Sequence, residues 1–117
     1  THIAIRKPEQ SGSAYFNYKG FYSIVLLAVV DADKKFIMVD AGINGRISDS
    51  EVMFYSKFGE LFHCNSLEIP KPAPLPNTTS NFPFVFVGDE AFALHPNLMK
   101  PYSLRLALTN EQCEYNR

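Results

Sequence analysis

Phe84-Val85-Phe86-Val87-Gly88-Asp89-Glu90-Ala91-Phe92 is the stretch on which the reading of the fold turns. Four apolar, β-branched or aromatic residues run together and stop abruptly at Gly-Asp-Glu. Such a run is too short for a core helix and predicts a strand buried on both faces. In an α/β sheet, chemistry gathers just beyond the carboxyl ends of strands of this kind. Asp89 is therefore expected at the rim of a sheet, on a rigid backbone, with Gly88 allowing a turn or the close approach of a ligand. A strand followed by a plain acidic turn is the alternative.

The 117 residues suffice for one domain with a modest core. Apolar residues make up 46% and aromatics 14%, a globular rather than a disordered composition. The net charge of −1 gives no overall basic field that would announce nucleic acid, although Arg6, Lys7 and Lys19 fall close together. Cys64 and Cys113 lie far apart and make no metal-ligand spacing, so free thiols in an intracellular protein are expected and no disulfide. The longest apolar run, Ile24 to Val30, is too short to span a bilayer, and no signal peptide is visible. The chain opens at Thr1 on a strand-like pattern without Met, which suggests a piece of something longer.

Thr1 to Arg6 alternates and reads as the end of a strand, stopped by Lys7-Pro8. Residues 9–20 are polar and aromatic. Their Tyr15, Phe16, Tyr18 and neighbouring Phe21, interleaved with Asn17 and Lys19, fit either a loop packed on a sheet edge or a surface that stacks on bases. Ser23 to Val30 does not alternate and predicts a central strand buried on both faces. Asp31 to Lys34 is a turn, and Phe36 to Ala41 returns as an antiparallel partner. Ser48-Asp49-Ser50-Glu51 is a capping box. Val52, Tyr55, Phe58 and Phe62 follow at near-helical spacing, which predicts one amphipathic helix over 49–62 with Val52, Tyr55 and Phe58 toward the sheet. Asp49 suits the helix dipole as a first-turn acid, and a functional carboxylate there is the second reading.

Residues 65–83 carry five prolines and predict a long loop inserted within a single domain, 1–117. Asn77-Thr78-Thr79 is a formal glycosylation sequon, with nothing else pointing to secretion. His95-Pro96 and Lys100-Pro101 bracket a turn or short helical piece, and Leu104 to Leu108 is apolar and ambiguous. A final helix is expected from Thr109 or Asn110 to the last residue. The resulting order is three antiparallel strands, a crossover helix, then a fourth strand parallel to the first. That is the order of the ribonuclease-H-like α/β fold, here incomplete at both ends. Neighbouring strands in such a sheet lie roughly 5 Å apart, so carboxylates on the first and fourth can share a divalent cation.

Several segments resemble, in order, the catalytic domain of Harbinger-type transposases and their relatives among the DDE superfamily endonucleases. Thr1-His2 with Arg6-Lys7-Pro8 resembles the family's Asp-x-Thr-His opening and the Arg/Lys-Pro after it. Tyr18-Lys19-Gly20-Phe21-Tyr22-Ser23 is similar to its Tyr-Lys-x-Phe-x-Ser segment, and Gly45 to Ser50 to its Gly-x-x-His-Asp-Ser segment. Gly88-Asp89-Glu90-Ala91-Phe92 resembles its Gly-Asp-x-x-Tyr/Phe corner. Met99 to Tyr102 and Glu114 to Arg117 resemble the later Thr-Pro-Tyr and Phe-Asn segments.

The resemblance implies a nuclear, metal-dependent DNA endonuclease or transposase, a hydrolase that uses Mg²⁺ or Mn²⁺, with a Myb-like accessory protein as a further partner. It implies Asp89 as a catalytic metal ligand and Asp49 as a second candidate, with Lys19, Arg46 and Lys100 as candidate DNA contacts. The family's first Asp would precede Thr1 and its final Glu would follow Arg117, so the piece alone is expected to be inactive. Ser48 stands where the family often has His, and Glu90 points away along the chain. His2 is read as packed or as orienting a carboxylate, and His63 and His95 as structural. A domesticated or truncated module that binds DNA or protein without catalysis remains the alternative.

Overall fold

Residues 1–105 and 107–117 are described by the structure, a computed structural model. They fall into two units, Thr1–Ser66 and Leu67–Arg117.

In the first unit the β-branched segments form an antiparallel sheet in the order β1 (His2–Ala4), β2 (Ser23–Val30), β3 (Phe36–Asn44). The hairpin between β2 and β3 is closed as its turn residues predict. Asp31 Oδ1 accepts from the Lys35 N–H at 2.9 Å, and the Asp31 carbonyl accepts from the Lys34 N–H at 3.1 Å. Burial on both faces, expected of β2, holds only at its start. Ser23 and Val25 are buried, the middle is half-buried and Val30 is exposed. Length explains this. Helix α1 (Asp49–Tyr55), which lies against β2, has seven residues and covers about 10 Å. The eight residues of β2 extend about 26 Å.

The single helix expected over 49–62 is two helices, α1 and α2 (Lys57–His63), broken at Ser56. Ser56 takes an extended conformation, φ −81° and ψ 153°, which ends α1. Its hydroxyl donates to the Met53 carbonyl at 2.7 Å and accepts from the Gly59 N–H at 2.9 Å, so one buried side chain closes one helix and caps the next. Gly59 makes the bend possible, because a Cβ there would overlap the Met53 carbonyl. The break rotates the second apolar stripe out of phase with the first. Tyr55, expected to face the sheet, is therefore 66% exposed, while Val52, Met53, Phe58 and Phe62 form the core with Val25. The Phe58 and Phe62 rings stack at 5.7 Å.

The capping box at the start of α1 is present. The Glu51 N–H donates to Ser48 Oγ, and Glu51 Oε2 accepts from the Ser48 N–H at 3.0 Å and its hydroxyl at 2.6 Å. These hydrogen bonds from Ser48 hold the Glu51 carboxyl below the usual carboxylate range.

In the second unit the proline-rich stretch closes into a small antiparallel pair, β4 (Ala73–Pro74) with β5 (Asn81–Phe82). The apolar run at 84–87 shortens to β6 (Phe86–Val87), parallel to β7 (Leu98–Met99). The parallel pairing expected with the amino-terminal strand is thus made with β7, inside this unit. Burial on both faces is also corrected here: Val87 is 84% and Phe84 49% exposed. The Asn97 side-chain amide donates to the Phe84 carbonyl at 2.8 Å, a side-chain bond where a ladder would have to continue. Apolar content alone did not report strand length.

Helix α3 (Asn110–Tyr115) begins where its capping box predicts, on Thr109 with Gln112 reaching back. Asn116 then donates to the Tyr102 carbonyl at 2.9 Å and accepts from the Tyr102 N–H at 2.8 Å. This reciprocal pair ties the 99–102 segment to the end of α3. Within the Leu104–Leu108 run, Leu106 lies outside the described residues. Among the described residues no helix is long and apolar enough to cross a membrane. Cys64 and Cys113 are exposed free thiols.

Two outcomes test this packing. Gly45→Ala forces a Cβ to within 2.6 Å of the Ser23 carbonyl and 2.9 Å of the Tyr15 carbonyl, so it should cost at least about 1–3 kcal/mol in denaturant melts. The Glu51 carboxyl titrates lower folded than unfolded, so its support of α1 is present above the ordinary carboxylate range and is lost as pH falls through it. Amide exchange at 49–52 should rise in that acid window, and Glu51→Gln should abolish the dependence.

Candidate functional site

Asp89 stands two residues beyond Val87, the last residue of β6, at the carboxyl end of the strand as the sequence predicts. The preceding glycine is required by packing. The Gly88 N–H donates to the Met99 carbonyl at 2.9 Å, and a Cβ at Gly88 would come within 2.8 Å of the Phe92 ring. Asp89 then folds its side chain onto the following turn, where Oδ1 accepts from the Ala91 N–H at 2.8 Å. Oδ2 has no protein partner among the described residues, and the residue is exposed.

Lys100, a candidate DNA contact, also has a local role. Its ammonium donates to the Phe92 carbonyl at 2.6 Å and to the Glu90 carbonyl at 3.0 Å. It braces the Asp89 corner with two of its three protons. Glu90 contributes its backbone carbonyl to that brace.

The remaining candidates lie in the first unit, and the turns that carry Lys19 and Arg46 are both tied to the buried Ser23. Ser23 is 0% exposed, and each of its polar atoms is used. Its N–H donates to the Tyr15 carbonyl at 2.8 Å, and its carbonyl accepts from the Gly45 N–H at 2.8 Å. Its Oγ accepts from the Asn17 amide at 2.8 Å and lies 2.9 Å from His2 Nδ1. The His2 ring also meets Tyr18 and Phe21 edge-on, at 5.8 and 6.3 Å. His2 is therefore packed and hydrogen-bonded within the sheet.

Through Asn17 and Gly45, the same hydroxyl-bearing residue anchors two turns, 17–20 and 44–47, whose exposed cations are Lys19 and Arg46. Asp49 is half-buried at the first position of α1, where its charge complements the helix dipole. Among the described residues no three His, Cys, Asp or Glu side chains cluster as a metal site.

Sequence reasoning missed Asn17, which is 3% exposed and bridges the 17–20 turn to Ser23. A signal was present. Asn17-Tyr18-Lys19-Gly20 has Asn at the first and Gly at the fourth position of a turn, and the Gly20 N–H does donate to the Asn17 carbonyl at 3.1 Å.

The brace is testable. Lys100→Met removes both charged bonds and should loosen residues 89–92 locally by about 1–3 kcal/mol. Hydrogen exchange at the Ala91 and Phe92 amides should accelerate, with the rest of the molecule unchanged.

The family described as DDE superfamily endonuclease matches residues 1–117. Protein ALP1-like from Arabidopsis thaliana is 32% identical over 119 residues, covering 100% of this chain and 29% of that protein. Putative nuclease HARBI1 from Rattus norvegicus is 28% identical over 116 residues, covering 99% of this chain and 29% of that protein. The chain thus spans about three-tenths of the length of these curated relatives. No solved structure matches it significantly. With the family match running from the strand at His2 to the helix that ends at Tyr115, the chain belongs to the DDE superfamily endonucleases.

Proposed function

We propose that the chain is part of the catalytic domain of a metal-dependent DNA endonuclease, a hydrolase of phosphodiester bonds, with Asp89 as one carboxylate of its metal site. The observation that carries this reading is the Asp89 corner. A strand end, an obligatory glycine and a lysine brace fix the residue, yet one carboxylate oxygen is left unpaired among the described residues. Divalent cations, Mg²⁺ or Mn²⁺, suit hard oxygen ligands of this kind and would supply activation of water and stabilisation of the leaving oxygen. The other ligands are to be sought in the rest of the whole protein, because the curated relatives are more than three times as long.

Lys19 and Arg46, on turns anchored at Ser23, are proposed to contact DNA phosphates. Lys100 remains a candidate contact beside its bracing role. Asp49 remains a lesser candidate, its position being sufficiently explained by helix capping. We further propose that both units belong to one ribonuclease-H-like domain, the family match being continuous across them. A nuclear location and a Myb-like partner accompany this reading.

A second reading is DNA binding without catalysis, as in a domesticated or truncated derivative. Plasmid nicking by the full-length protein separates the two. Mg²⁺- or Mn²⁺-dependent nicking should fall in Asp89→Asn by more than the roughly 10–100-fold that loss of a ligand's outer hydrogen-bond partner costs. Nicking equal to the parent in Asp89→Asn would remove Asp89 from the site. DNA binding with no nicking by the parent under either cation would favour the second reading.

A further inference from the structure

We propose that Tyr18 is a base-stacking platform that holds one unpaired nucleotide of DNA, with Lys19 on the adjoining phosphate. The inference rests on the reading of the protein as one that acts on DNA. Tyr18 is 84% exposed. The turn that carries it is nonetheless closed by hydrogen bonds on both sides of Tyr18. The Asn17 carbonyl accepts from Gly20, Asn17 Oδ1 accepts from the Lys19 and Phe21 N–H groups at 2.9 and 3.4 Å, and the Asn17 N–H donates to the Phe21 carbonyl at 2.9 Å. Asn17 is in turn bonded to the buried Ser23. On one side the His2 ring meets Tyr18 edge-on at 5.8 Å, which limits its rotation.

The Lys19 ammonium lies over the Tyr18 ring, 5.6 Å from its centre, so a cation occupies one face and a base would stack on the other. A pre-positioned aromatic face costs little entropy on binding, and every base offers a π-face to it. A cation within a nucleotide's length selects the phosphate that follows the base. A duplex keeps its bases stacked on one another, so the fitting ligand is single-stranded or locally unpaired DNA.

The test uses the full-length protein and a labelled single-stranded oligodeoxynucleotide carrying one 5-iododeoxyuridine. Affinity is read by fluorescence anisotropy, and near-ultraviolet crosslinks are mapped by mass spectrometry. Tyr18→Ala and Tyr18→Leu should each lose roughly 5- to 150-fold in affinity, while Tyr18→Phe should bind like the parent. Lys19→Ala should lower the slope of log affinity against log salt by about 0.7, and the Tyr18 variants should leave it unchanged. The crosslink should fall in the peptide containing Tyr18. Parent-like affinity in Tyr18→Ala, or Tyr18→Leu binding as well as Tyr18→Phe, would overturn the proposal and leave the endonuclease reading standing. DNA affinity with no crosslink in the 17–20 turn would also overturn it, pointing instead to a protein partner. No DNA affinity in the parent would sink both readings. Should Tyr18→Ala fold poorly, the comparison of Leu with Phe decides alone.

Discussion

The turns that present Lys19 and Arg46 depend on the full satisfaction of Ser23. A hydroxyl taken out of water with no partner costs on the order of 1–3 kcal/mol, and a buried amide such as Asn17 costs a similar amount. Here each meets the other, and no buried side-chain nitrogen or oxygen among the described residues lacks a partner. The consequence is geometric. The start of β2, the turn at 17–20, the turn at 44–47 and the ring of His2 are held by one residue, so none can move without leaving a buried polar group unpaired. Gly45 is part of the constraint, because only a residue without a side chain lets its N–H reach the Ser23 carbonyl.

The second unit solves a related problem with a charge in place of a buried hydroxyl. The turn after β6 exposes carbonyls that no helix or sheet takes up. The ammonium of Lys100, a half-buried residue, donates to two of those carbonyls. Ionised donors make stronger hydrogen bonds than neutral ones, and one flexible side chain can span the turn. Asp89 is thereby presented on a backbone fixed from both sides: by the Gly88 bond to β7 before it and by the brace after it. Pre-organisation of this kind is what a metal ligand needs, since a carboxylate that must first be ordered binds a cation less tightly.

Local chemistry was the legible part of the sequence. The Asp31 turn, the Ser48 and Thr109 capping boxes and the placement of Asp89 at a strand end were all readable, because each rests on neighbours within a few residues. The errors lie where tertiary packing outweighs local pattern. Val52, Tyr55, Phe58 and Phe62 fit one helical period, yet Ser56 and Gly59 let the chain bend and put Tyr55 in solvent. The apolar run at 84–87 suggested a buried strand, but only Phe86 and Val87 pair, and Val87 faces water. The bracing role of Lys100 was not legible, because nothing in the sequence indicates which carbonyls a distant lysine will reach. Asn17 carried a turn signal, but its burial follows from a hydroxyl six residues away across a sheet edge.

The account stands or falls on Asp89 as a metal ligand in the whole protein. The most direct measurement is a crystal structure of the full-length protein grown with Mn²⁺, with anomalous diffraction to locate the ion. The account predicts an anomalous peak about 2 Å from Asp89 Oδ2, with Oδ1 still accepting from the Ala91 N–H. A fully occupied Mn²⁺ held by other carboxylates, with Asp89 bonded only to protein or water and away from the ion, would contradict it.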